Sequence, residues 1–424
     1  MAATEANDIH RTIDAVWRIE AAKLIAGLTR ITRDVGQAEE LAQDALEAAL
    51  RQWPESGIPD KPGAWLMQSA KHRAIDGIRR RAMQQKKHVE IGRDLQSLEQ
   101  EMPDWDSALD DHVGDDVLRL IFTACHPVLS TEARAALTLR MIGGLQTDEI
   151  ARAFLVAEPT MAQRIVRAKR TLSDAKVPFE MPRGEEMAER LGSVLEVIYL
   201  IFNEGYTATS GEDWVRPNLC NEAVRLGRIL SELAVHEPEA HGLTALMEIQ
   251  TSRLHARVAP NGDPILLLDQ DRARWDQMLI RRGLAALERA EREAAAQGLG
   301  LGPYVLQAEI AACHARAHTA AETDWSRIAA IYEALSHVTP SPVVELNRAV
   351  AISMAEGPGA GLALVDALME EPALKNYHLL PGVRGDLLFK LDRKAEAKAA
   401  FERAAELTRN ERERALLLKR AAEC

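Results

Sequence analysis

Ala38, Leu41, Ala45, Ala49 and Trp53 recur at helical spacing, with Glu39, Glu40, Gln43, Asp44 and Glu47 on the remaining faces. The pattern predicts an amphipathic helix with an acidic outer face, ended by Pro54. A second helix is predicted after Lys61-Pro62-Gly63, where proline suits the first turn, with Leu66, Ala70, Ala74 and Ile78 at every fourth position up to about Arg81. Its polar face carries Lys71, His72, Arg73, Asp76, Arg79 and Arg80. Such a face either stays solvated or follows a phosphate backbone. Leu118 to Met141 reads as helical with an interruption at Pro127, and Gly143-Gly144 precedes a helix near Thr147, the expected N-cap. A short turn at Leu155-Val156-Ala157 leads to a third helix from Glu158-Pro159-Thr160 to Leu172, with Ile165, Ala168 and Leu172 inward. This is helix-turn-helix spacing, although two-helix hairpins of this size also occur in all-α proteins that bind no DNA.

Beyond Lys176 the pattern predicts helices over Met187 to Asn203, Asn218 to Leu233, Glu237 to Arg257 and Gln270 to Ala296, with Gly205 and Gly298 as C-caps. Leu266 to Asp276 mixes acids, arginines and Trp275 as interfaces do, or else marks a buried tryptophan beside a capped helix start. From about residue 305 a repeat emerges. Ile328, Tyr332, Leu335 and Pro340, then Ala349, Gly361, Val365 and Leu368, then Gly385, Ala397, Phe401 and Ala404 recur at about 34 residues, the small and aromatic positions of a tetratricopeptide repeat. A solenoid of that kind offers a concave face to a partner helix or peptide.

Composition narrows the fold class to all-α. Aromatics make up 4% of 424 residues, and Ala, Leu, Glu and Arg dominate, so sandwich, barrel and parallel-sheet folds are excluded. At roughly 150 residues per domain the length suggests about three domains. The net charge of −12 argues against a generally sticky nucleic-acid binder, but its distribution reverses that inference. Lys71 to Lys87 carries +6, Asp94 to Leu118 carries −9 without a Lys or Arg, Arg134 to Lys176 carries +4, and everything after Lys176 carries −9. Two basic islands thus flank an acidic strip, which reads either as a solvated tether or as a polyanionic strand lying in a channel built for nucleic acid.

Gln37-Ala-Glu-Glu-Leu-Ala-Gln-Asp44, Pro62-Gly-Ala-Trp-Leu66 with Ala74-Ile-Asp76 and Arg79-Arg-Arg81, Leu145-Gln-Thr-Asp-Glu-Ile-Ala151, and Thr160-Met-Ala-Gln-Arg-Ile-Val-Arg-Ala-Lys-Arg170 occur in that order. Together they resemble the two conserved regions of extracytoplasmic-function sigma factors of bacterial RNA polymerase. Asn203-Glu-Gly-Tyr206, Trp275-Asp276 and Pro340-Ser-Pro-Val-Val-Glu-Leu-Asn-Arg-Ala349 extend the resemblance to the group with a C-terminal tetratricopeptide-like extension. The resemblance implies a region-two domain (1–94), an acidic linker towards the RNA exit path (95–117), a region-four domain (118–176), a family-specific helical domain (177–300) and tetratricopeptide-like repeats (301–424). It implies core polymerase (clamp and flap) and promoter DNA as partners, and control of activity by the extension through intramolecular contact with the sigma domains.

Carried onto this chain, the resemblance places Glu40, Gln43, Asp44 and Glu47 on the clamp-binding helix. It places Lys71, His72, Arg73, Arg79 and Arg80 at the −10 strands, and Thr160, Gln163, Arg164, Arg167, Lys169 and Arg170 at the −35 element. The turn from Pro54 to Lys61 sits where the family presents a loop to an extruded base. His72 stands where asparagine is usual and Ala162 where a polar residue is common, so no promoter sequence transfers. The alternative is a polymerase-independent helix-turn-helix regulator whose solenoid binds a ligand or peptide; a scaffold using the repeats alone is a third reading.

No Gly-rich phosphate loop, nucleophile elbow or HExxH occurs, and Cys313-His314 with His318 lacks a third ligand at useful spacing, so no catalytic residue, metal or cofactor is expected and the chain reads as a non-enzyme. Cys125, Cys220, Cys313 and Cys424 have the separation of reduced thiols. The acidic start lacks a secretory pattern, and the longest apolar run, Val194 to Phe202, is too short to span a membrane, so a soluble cytoplasmic protein is expected.

Overall fold

The computed structural model describes residues 2–73, 113–154, 156–182, 185–207, 215–260, 262–408 and 410–424. Among them there is no strand; isolated bridge residues are Val258 paired with Pro264, and Asn410. Arg79, Arg80 and the acidic strip up to His112 lie outside the described residues. The chain divides into two compact units, Met1–Val197 and Ile198–Cys424.

In the first unit, α1 (Ala2–Thr32) and α2 (Val35–Ser56) pack along an alanine seam. Ala38, Ala42, Ala45 and Ala49 are fully buried, facing the α1 stripe of Trp17, Ala21, Leu24, Ile25 and Leu28. Asp34 caps α2 by accepting from the Gln37 amide at 2.7 Å. Pro54 does not end α2: the helix continues to Ser56 and closes where the Gly57 amide donates to the Trp53 carbonyl. A proline removes one amide donor but leaves the following residues free to complete a last turn. α3, described over residues 62–73, is fixed by Trp65 meeting Trp53 edge-on with ring centroids 5.3 Å apart.

Four helices follow: α4 (Val113–Ala124), α5 (Thr131–Met141), α6 (Thr147–Ala153) and α7 (Glu158–Asp174). Thr147 opens α6 as its first helical residue rather than its cap, and the Glu149 carboxylate accepts the Gln146 amide at 2.8 Å. Met161, Ile165, Ala168 and Leu172 form the buried stripe of α7. The first unit extends past Lys176: in α8 (Glu185–Tyr206), Arg190 donates to the Phe122 carbonyl at 2.9 Å and Ser193 to the Cys125 carbonyl at 2.6 Å.

The second unit begins within α8 and contains α9 (Pro217–Leu233), α10 (Pro238–Thr251), α11 (Gln277–Ala296) and α12 (Pro303–Arg316). α10 is its hub, packing on α9, α11 and α12, and is buried on nearly every face. Gly205 lies inside α8 and is not a cap. A Cβ there would come within 2.6 Å of the Cys220 amide nitrogen, so glycine permits α8 and α9 to meet. Gly298, with φ +66°, does terminate α11, the Leu299 amide returning to the Ala294 carbonyl at 2.9 Å. Asp276 caps α11 by accepting from the Met278 and Leu279 amides, with Trp275 buried beside it.

From α13 (Trp325–Val338) onward, α14 (Pro342–Glu356), α15 (Pro358–Leu368), α16 (Leu379–Lys390), α17 (Lys394–Leu407) and α18 (Glu411–Ala422) each pack on the next. The small residues mark the close approaches: a Cβ at Gly361 would strike Ser353, and one at Gly385 would strike the Phe401 ring.

Candidate nucleic-acid and polymerase interface

α6 and α7 pack together across residues 154–157, which makes α7 the second helix of a helix-turn-helix. At 100° per residue, Thr160, Gln163, Arg164, Arg167 and Arg170 share one face of α7, while Lys169 lies half a turn away. Thr160, Gln163, Arg167 and Arg170 are exposed and Arg164 is half-buried. Among the described residues, Arg170 makes a surface pair with Asp174 at 3.4 Å. That face offers an amide, a hydroxyl and three guanidinium forks, groups suited to base edges and phosphate oxygens.

Lys169 is not brought together with the other five. Its ammonium donates to Glu39 at 2.9 Å and lies 3.6 Å from Glu40. Glu39 also receives the Arg140 guanidinium at 2.9 Å, and Arg140 in turn donates to the Gln146 side chain at 2.9 Å. The sequence pattern puts Glu39 on the acidic outer face of α2; the structure buries it to 4% exposure, because α5 and α7 cover that side of the helix. Two further ion pairs span the same unit, Arg18 to Glu149 at 2.9 Å and Arg30 to Asp116 at 3.4 Å. A cavity of about 580 Å3 opens on the Lys169 side of α7, where Arg30, Arg33, Lys169 and Lys176 share the rim with Asp34 and Glu180.

On α2, Glu40, Asp44 and Glu47 are exposed and Gln43 is half-buried. Asp44 pairs with Arg73 of α3 at 3.2 Å, and Glu47 with Arg51 at 3.3 Å. Of the residues assigned to the −10 strands, His72 and Arg73 are exposed and Lys71 is half-buried at the end of described α3. The loop before α3 contains Gly57 at φ +81°. The ties missed from the sequence, Glu39–Arg140 and Arg18–Glu149, join residues more than 100 positions apart, and only an acid lodged between Ala38 and Ala42 hinted at the first.

Burial pushes the Cys125 thiol up to about 11 and the Cys220 thiol up to about 12, while Cys313 packs among Leu306, Ile310, Ile328 and Leu335. His314 is buried against Trp325, and no group of three metal-ligating side chains converges among the described residues. No described helix is long and apolar enough to cross a membrane.

Residues 19–83 match the family Sigma-70 region 2, and residues 119–172 match Sigma-70, region 4. Residues 190–291 match a family of unknown function, DUF6596. Over 395 residues the chain is 45% identical to an uncharacterized protein of Rhizobium meliloti (strain 1021), covering 93% of this chain and 91% of that one. No solved structure matches it. With both regions present in order, the chain belongs to the sigma-70 family of sigma factors, whose regions 2 and 4 serve transcription initiation.

Proposed function

We propose that this protein is an extracytoplasmic-function type sigma factor that binds core RNA polymerase, recognises −35 and −10 promoter elements, and is controlled by its own C-terminal extension. The observation that carries this reading is the face of Thr160, Gln163, Arg164, Arg167 and Arg170 on the second helix of a helix-turn-helix, in a chain that also matches region 2. Region 4 reads the −35 element through that face, while Lys169 serves as an internal tie to Glu39. Lys71, His72 and Arg73, with Arg79 and Arg80 beyond the described residues, meet the −10 strands, and Glu40, Asp44 and Glu47 meet the polymerase clamp. The tetratricopeptide-like reading of 301–424 is supported by the succession α13 to α18 and by the close approaches at Gly361 and Gly385.

Sequencing of DNA bound by the protein together with core polymerase, followed by run-off transcription from those sites, tests the proposal. Arg167→Ala should cut promoter-dependent transcripts about tenfold, in line with about 1–3 kcal/mol for a lost base or phosphate contact. Glu47→Lys should abolish co-purification with core polymerase without unfolding the protein, since among the described residues the exposed Glu47 pairs with its helix neighbour Arg51. Duplex binding that ignores polymerase and Glu47→Lys would replace this reading with the polymerase-independent regulator.

A further inference from the structure

α7 carries an apolar strip that its core does not use. At about 100° per residue from Thr160, the buried stripe of Met161, Ile165, Ala168 and Leu172 occupies about 80° to 140°, while Pro159, Ala162 and Val166 fall between about 200° and 260°. Pro159 and Val166 are exposed and Ala162 is half-buried. Val166 leaves 59% of its surface open, and it stands beside Arg170 at about 280° and Gln163 at about 300°. The strip therefore borders the polar face of the helix along the edge marked by Gln163 and Arg170.

A lone apolar side chain on a protein surface is ordinary. What distinguishes Val166 is its position. A β-branched residue gives up χ1 freedom in a helix, and at 59% exposure burial does little to offset that loss. Gln163 and Arg170, each one turn away on the same side, are donors suited to base edges, so a surface that receives them also receives the valine. In the major groove that surface has one apolar feature, the C5-methyl group of thymine, which the other three bases lack. Along the helix axis Val166 lies about 4.5 Å past Gln163 and about 6 Å short of Arg170, against a base step of about 3.4 Å. Where α7 follows the groove, a valine at that height meets a base pair one or two steps from the one that Gln163 reads. Ala162, one turn earlier on the strip, has no side chain long enough to hold the helix off the bases.

We propose that Val166 is a specificity-determining residue of region 4: its isopropyl group packs on the C5-methyl of a thymine in the −35 element, one or two base pairs from the base that Gln163 contacts. The valine selects thymine over cytosine by the methyl group, while the flanking amide and guanidinium groups hold the helix in register through hydrogen bonds. The inference rests on the sigma-factor reading given above.

The test removes that methyl alone. Each −35 thymine of a promoter bound by the full-length protein with core polymerase is replaced singly by deoxyuridine, which keeps the base pairing, and the dissociation constant is measured at fixed salt. At one position, within two base pairs of the one whose preference changes in Gln163→Ala, uridine should weaken binding about fourfold, the equivalent of about 0.8 kcal/mol for one buried methyl-sized group. Val166→Ala should bind the thymine and uridine promoters alike, at the affinity of the unaltered protein for uridine, and Val166→Ile should keep the preference. Circular dichroism should show an unchanged thermal midpoint for Val166→Ala, because the side chain is exposed. The proposal is overturned if no −35 thymine within that window depends on its methyl, if Val166→Ala keeps the dependence, or if Val166→Ala weakens both promoters equally, which would give the valine a contact on polymerase instead. Failure of the unaltered protein to bind any promoter with core polymerase would overturn the sigma-factor reading itself, and this inference with it.

Discussion

His314 illustrates how one side chain couples the extension to pH. Burial, with Arg253 and Arg272 nearby, pulls its imidazole down to about 3, so it is neutral in the folded protein at every pH above that value. The unfolded chain binds the proton below about 6.5, so stability is fully present above that pH and is lost as pH falls towards 3, at up to about 1.4 kcal/mol per pH unit. His314→Phe should flatten the denaturant-midpoint profile between pH 6.5 and 4; an unchanged slope would remove His314 as its source. Cysteine chemistry is set by burial in the same way. Cys125, Cys220 and Cys313 are enclosed and their thiols raised, whereas Cys424 is half-buried at the chain end. Brief alkylation at neutral pH, read by peptide mass spectrometry, should label Cys424 first.

At the scale of elements, contacts between helices rest on small residues and on buried charge. Adding a methyl at Gly205 places carbon against the backbone of α9, which no rotamer change relieves, and Gly205→Ala should cost about 1–3 kcal/mol in urea unfolding. Glu39 holds α2 against both α5 and α7. Glu39→Gln leaves Arg140 and Lys169 charged and enclosed, though each keeps a second partner in Gln146 or Glu40, so a loss of about 3 kcal/mol is expected for the first unit. An unaltered unfolding transition would show that the three groups ionise and hydrate independently.

For the molecule as a whole, the division after Val197 alters where the extension can be cut. Removing everything after residue 180 strips Arg190 and Ser193 from the carbonyls of Phe122 and Cys125, whereas removing everything after Val197 retains both bonds. The 1–197 fragment should therefore melt higher than the 1–180 fragment by circular dichroism, and it is the fragment on which run-off transcription can report control by the extension. Equal midpoints would place residues 185–197 outside the stability of the first unit.

The sequence by itself determined the helical class, the order of the two sigma regions, the exposed face of α7 and the small residues Gly361 and Gly385 at close helix approaches. Each depends on local periodicity, which the 3.6-residue turn converts directly into a face. Local signals misled where a residue type has two uses: Pro54 within a last turn, Thr147 as a first helical residue instead of a cap, and Gly205 as a contact residue instead of a cap. What only the tertiary structure decided is which charges are enclosed. Glu39 and Lys169 look like surface residues of amphipathic helices, and Arg253 like one more arginine in a polar segment, until helices distant in sequence cover them. Burial of a charge is set by what packs over it, and nothing in its immediate neighbours along the chain records that.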